Sequence, residues 1–228
     1  MSLYKQPSAI QLNNYGASLF QAGDYPHAIA CLSAAFKTSK MNFDDHHTNG
    51  TFASSLHVCL DQCIVSTSPF HDECSNDVKS FVFRRTIYIP TEMETTSYRS
   101  KVMVSVAVIF NLALAHHVFA METDNPEIAE QLLRKAAKLY ELGYNLQRAP
   151  AMNSNSSSVF AMAAINNLGQ IYERLGERDR ARRLFTHLLS TLMMLIDCRQ
   201  VNVSQFECFF RSTSHLIFQY GDSAAAAA

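Results

Sequence analysis

Residues 13–36 read NNYGASLFQAGDYPHAIACLSAAF, and the same frame returns over residues 166–189 as NNLGQIYERLGERDRARRLFTHLL. Each stretch opens on an Asn-Asn pair. Gly16, Gly23 and Ala28 follow in the first and Gly169, Gly176 and Ala181 in the second, at identical intervals of 7 and 5 residues. A helical hairpin repeated in this way cannot bury its apolar face alone, so the spacing predicts a stack of neighbouring hairpins with function on their grooved surface. Partner binding is therefore expected ahead of catalysis.

Within the first copy, apolar residues fall three and four apart through Ile10, Leu12, Tyr15, Leu19 and Phe20, and again through Ala28, Ile29, Leu32, Ala35 and Phe36. That is the period of one buried helical stripe on each side of a turn. Gly23 suits a left-handed helix terminator and Asp24 a cap for the next helix. Gly16 and Ala28 carry almost no side chain and allow the two helices to approach closely where they cross. The C-terminal copy repeats the construction with Ile165, Leu168, Tyr172 and Leu175 before Gly176, then Ala181, Leu184, Phe185 and Leu188. A middle copy runs through Ile109, Leu112, Ala113 and His116, then Ala129, Leu133, Ala136 and Ala137. Its turn is enlarged around residues 122–126, where Pro126 suits the first turn of the next helix.

These hairpins resemble tetratricopeptide repeats, a family with a unit of about 34 residues. The resemblance implies an all-α, right-handed solenoid of three hairpins, about residues 8–40, 101–147 and 157–198, that binds peptides or other proteins. It also implies a groove site. An asparagine stands two residues before the small crossing residue in every copy, as Asn14, Asn111 and Asn167, where the family's concave wall lies. An amide there both donates to and accepts from the backbone of an extended peptide. Partner-binding residues expected on this wall are Asn13, Asn14, Phe20, Asn111, His117, Asn166, Asn167, Gln170 and Arg174. Because only Arg174 is basic among the positions that some family members use to clamp a terminal carboxylate, no such clamp is expected.

A regular array is interrupted over residues 41–100, too long a stretch for a structureless loop in a compact domain. Residues 54–65 fit a helix, and Phe81–Ile89, rich in β-branched and aromatic residues and bounded by Pro90, predicts one or two short strands. A Pro, Asn and Ser-rich linker spans residues 149–158. A terminal helix over residues 203–220, with Phe206, Phe209, Phe210, Ile217 and Phe218, is expected to cap the last hairpin, ahead of an alanine tail at 224–228. The expected domain is a single one, residues 1–223.

The 228 residues are 48% apolar, enough for a substantial core, and 19 Lys plus Arg balance 20 acids. Without a net field there is no drive toward a polyanion, so no nucleic-acid partner is expected. Met1–Pro7 holds no unbroken apolar run and Ser2 replaces the glycine that myristoylation needs, so an intracellular, cytoplasmic protein with reduced thiols is expected. Val102–Met121, with sixteen apolar residues of twenty, has the length of a membrane span. Asn111, His116 and His117 inside it favour a helix buried between hairpins, and no span is expected. Of the adjacent His116 and His117, one is expected in the core and the other in the groove.

His57, Cys59, Cys63, His71 and Cys74 offer zinc-type donors, but their spacing matches none of the usual paired forms. The Arg174–Arg183 cluster is interleaved with Glu173, Glu177 and Asp179 and reads as a solvated helix face. No nucleophile elbow, phosphate loop or metalloprotease motif occurs, so neither an enzyme nor a cofactor is expected. The function expected is that of a scaffold or adaptor holding a peptide or partner protein in its groove. Two other readings stand beside it: a metal-binding regulator or enzyme built on the Cys/His-rich insertion, and an accessory subunit of a membrane-associated complex.

Overall fold

A computed structural model describes residues 6–41, 81–93, 98–147, 158–197 and 206–214. The helices among them are α1 (Ala9–Gln21), α2 (Tyr25–Met41), α3 (Tyr98–Glu122), α4 (Pro126–Gln147), α5 (Ser158–Arg174), α6 (Arg178–Asp197) and a short α7 over residues 207–214. No β-strand forms among the described residues. The strands expected within 81–89 are thus replaced by extended chain without a ladder. The helix expected over 54–65 and the Cys/His cluster from His57 to Cys74 lie outside the described residues.

The chain divides into two compact units, described separately: Met1–Ser66 with Arg85–Phe160, and Thr67–Arg84 with Ala161–Ala228. In the first, α1 packs on α2, α2 on α3, and α3 on α4. Ser8 opens α1 through a reciprocal capping box, its hydroxyl accepting from the Gln11 N–H while the Gln11 side chain accepts from the Ser8 N–H. The helix closes with a paired 6→1 and 5→2 turn. Gly23 sits at φ 79°, its N–H bonding the Phe20 carbonyl, and the Asp24 N–H bonds that of Leu19. Gly176 repeats this geometry at φ 77°, with bonds from Gly176 to Glu173 and from Glu177 to Tyr172. Only glycine takes that left-handed position without strain, so the matched glycines in the sequence have the same local cause. In the middle copy the enlarged turn ends on Asn125, whose side chain accepts from Glu127 and Ile128, with Pro126 as the first helical residue.

Close helix crossings fix each hairpin. A β-carbon on Gly16 would stand 2.6 Å from the Leu32 Cγ and 3.4 Å from the Ala28 carbonyl oxygen. One on Gly169 would stand 2.8 Å from the Phe185 ring. Leu32 and Phe185 are themselves fully buried, so neither has room to retreat. α4 and α6 each bury one stripe, Leu132, Leu133, Ala136, Ala137, Tyr140 and Gly143 in the former and Ala181, Phe185, Leu188, Leu192 and Leu195 in the latter. By contrast α3 is apolar on every side. The stretch Ser100–Glu122 is long and apolar enough to cross a membrane, yet it is enclosed almost completely by the fold.

His116 and His117 are both buried, which corrects the expected division between core and groove. The His117 ring meets the Tyr140 ring edge-on at 6.2 Å. Burial, and then the nearby Lys135 charge, hold the His116 imidazole down at about 4, against an ordinary 6.5. The folded chain thus binds this proton less readily than the unfolded one. Its contribution is fully present above pH 6.5 and is lost as pH falls through 4, to a total of roughly 3 kcal/mol. Urea unfolding at stepped pH is expected to show that loss in the wild type, reduced by up to that amount in His116→Leu.

Gly16→Ala and Gly169→Ala are each expected to lower stability. The helix-propensity gain of about 0.5–1 kcal/mol is outweighed by overpacking of about 1–3 kcal/mol. Gly143→Ala, whose β-carbon would meet the Ile109 Cγ2 at 3.3 Å, is expected to cost less in the same denaturation assay.

Candidate backbone-gripping asparagine site

Residues 81–89 form neither helix nor ladder, and where a residue is extended its N–H and C=O point to the same side, as the paired bonds of Phe83, Ile87 and Ile89 require. The alternate residues Phe81, Phe83, Ile87 and Ile89 all turn backbone groups toward asparagine side chains. In the first unit, Asn111 on α3 accepts from the Ile87 N–H at 2.8 Å and donates to the Ile87 carbonyl at 2.8 Å. Asn14 on α1 makes the same pair with Ile89, at 2.9 Å and 2.7 Å. Asn13 donates to the Ile87 carbonyl at 2.9 Å and to the Asn14 side-chain oxygen at 3.1 Å, and its own oxygen accepts from Asn111 at 2.9 Å. Tyr88 lies at the rim, its hydroxyl donating to Gln21 and standing 3.3 Å from the Ser18 hydroxyl.

The second unit repeats the device on α5. Asn167 accepts from the Phe83 N–H at 2.8 Å and donates to the Phe83 carbonyl at 2.9 Å, while Asn166 donates to the Phe81 carbonyl at 2.9 Å. Phe209 of α7 stacks on Phe83, with ring centres 5.9 Å apart, and meets Phe81 edge-on at 5.7 Å. The part of the terminal helix that is described therefore packs Phe209 on this segment, with Phe206 stacked against Phe209 in turn.

Each primary amide presents a donor and an acceptor with the reach of a neighbouring strand's backbone. This explains why a segment of strand composition is extended yet belongs to no sheet. The separate peptide expected at these asparagines is thus replaced, in the folded chain, by the protein's own residues 81–89. Alternation of apolar residues at 81, 83, 87 and 89 was the available signal.

The other expected wall residues lie as follows. Phe20 is buried and meets Tyr25 edge-on at 5.5 Å, Gln170 is buried in α5, and His117 lies against Tyr140. Arg174 is exposed at the end of α5. Nearby, Arg180 pairs with Glu177 at 2.9 Å and lies over the Tyr172 ring, consistent with a solvated face. Among the described residues no group of three or more His, Cys, Asp or Glu side chains is placed to hold a metal ion.

Residues 162–191 match the family model for the Tetratricopeptide repeat. The match covers most of α5, its glycine turn and most of α6, and it supports a tetratricopeptide-type helical repeat family. No curated protein and no solved structure matches the chain.

Asn13, Asn111, Asn166 and Asn167 are fully buried and Asn14 is half-buried. Their replacement is thus not neutral for stability, as it would be for residues exposed in the free protein. Asn111→Ala and Asn167→Ala are each expected to cost about 1–3 kcal/mol, since each strips partners from buried backbone groups. Asn14→Ala is expected to cost about 0.5–1.5 kcal/mol. Urea midpoints unchanged in the two buried variants would contradict the geometry.

Proposed function

We propose that this protein is a non-catalytic scaffold or adaptor, acting inside the cell, that binds a partner protein or peptide segment on the asparagine-lined side of its hairpins. Repeats of the tetratricopeptide kind suggest protein–protein interaction in general, and the matched hairpin supports that much directly. The observation that carries the finer reading is the recurrence of one device. Three asparagines, from α1, α3 and α5, each take both backbone groups of an extended residue. Such a device reads main chain and leaves side-chain identity to the surrounding apolar surface. It contains amides and no paired nucleophile and base, so its chemistry is recognition.

A photoreactive residue tests the location. Gln21 is exposed and borders the extended segment through Tyr88, whereas Ile128 is exposed on α4. Placed at Gln21, a cross-linking amino acid is expected to capture a discrete protein in cells. Adducts from Ile128 alone, with none from Gln21, would move recognition elsewhere and overturn the proposal.

A further inference from the structure

Every asparagine of this device is already engaged, and the chain engaging it is the protein's own. We propose that Ile87–Ile89 is a built-in competitor, which leaves its asparagines to admit an extended peptide carrying apolar side chains at two alternate positions. This rests on the adaptor reading above and adds to it the state of the site and the chemistry of the partner.

Three observations carry the inference. First, the four bonds that Asn14 and Asn111 make to Ile87 and Ile89 all go to main-chain groups. Any extended chain reproduces these four bonds, so they do not distinguish the internal segment from an external one, and only the Tyr88 hydroxyl adds a side-chain bond at the rim. Second, the selectivity resides in burial. Ile87 is 0% and Ile89 4% exposed, while Tyr88 between them is only partly covered and touches Ser18 and Gln21 at the rim. An incoming peptide must therefore replace two aliphatic groups spaced i and i+2, and tolerates variety between them. Third, the segment is tied close by. Pro90 ends it, a turn closed by the Met93 N–H on the Pro90 carbonyl follows, and α3 starts at Tyr98. On release the segment remains tethered at an effective concentration on the order of millimolar, so it competes without being lost. A partner binds with an affinity reduced by the fraction of molecules that are open, and weakening the internal grip raises that affinity.

The test uses the full chain and a fluorescein-labelled synthetic peptide of residues 81–91, followed by fluorescence anisotropy. Ile87→Ala weakens the internal competitor and leaves the asparagines themselves unchanged, while the displacing peptide brings its own isoleucines. The variant is expected to bind the peptide at least tenfold more tightly than the wild type. A peptide with aspartate at both isoleucine positions is expected to lose that binding. A variant that keeps its helical circular dichroism and binds no tighter than the wild type overturns the proposal.

If Ile87→Ala does not fold, native-state hydrogen exchange of the wild type decides. The Ile87 and Ile89 amides are expected to exchange at least tenfold faster than the slowest amides of α1 and α3, through an opening that leaves those helices protected. Exchange locked to the slowest helix amides overturns the proposal. A chain that captures a partner from Gln21 yet fails these measurements keeps the adaptor reading and loses the competitor.

Discussion

An extended residue projects its N–H and its C=O in one direction, and a single primary amide satisfies both at once. Buried main-chain groups without partners cost about 1–3 kcal/mol each, so a solitary extended segment inside a helical protein is untenable unless something replaces the missing strand. Here Asn14, Asn111 and Asn167 replace it, each bonding both groups of Ile89, Ile87 and Phe83 respectively. Only because of those bonds do Phe83, Ile87 and Ile89 enter the apolar interior. Asn13 and Asn111 bond one another as well, which couples α1 to α3 through the same network.

The helices must present these amides at a fixed rotation, and the small residues two positions later set it. Gly16 and Gly169 lie against Leu32 and Phe185 so closely that the helix cannot roll without collision. About two turns after each glycine, the paired left-handed closure at Gly23 or Gly176 ends the helix and aims the second helix back onto the first. The asparagine, the crossing residue and the terminator thus act as one geometric unit. A shift of any of them by one position would swing the amide by about 100° away from the extended chain.

Much of this was legible in the sequence where the cause is local. Gly16, Gly23 and Ala28 recurring as Gly169, Gly176 and Ala181 announced the hairpins, because turn and crossing constraints act within a few residues. Pro126 marked a helix start for the same reason. The extended character of Phe81–Ile89 was legible too, from its β-branched and aromatic composition, but its pairing was not. Strand propensity describes a residue's own backbone and is silent about whether a strand or a row of amides lies opposite. The asparagines were recognised as backbone grippers while their occupant went unrecognised, since periodicity carries no information across such separations. His117 illustrates the converse, an imidazole given to the groove that packs against Tyr140 instead, in a helix apolar on every side.

Those separations have a kinetic meaning. The hairpin contacts close short loops, whereas Asn13 and Asn14 meet residues 74 and 75 positions away, and Asn166 and Asn167 residues 85 and 84 away. Loop-closure entropy and contact order both make such pairings late events in folding. During synthesis from the N-terminus, α1 and α2 emerge long before residue 89, and Asn111 emerges after it. The first hairpin is therefore born with unsatisfied amides, and it waits for its own chain with them open to whatever extended segment arrives first.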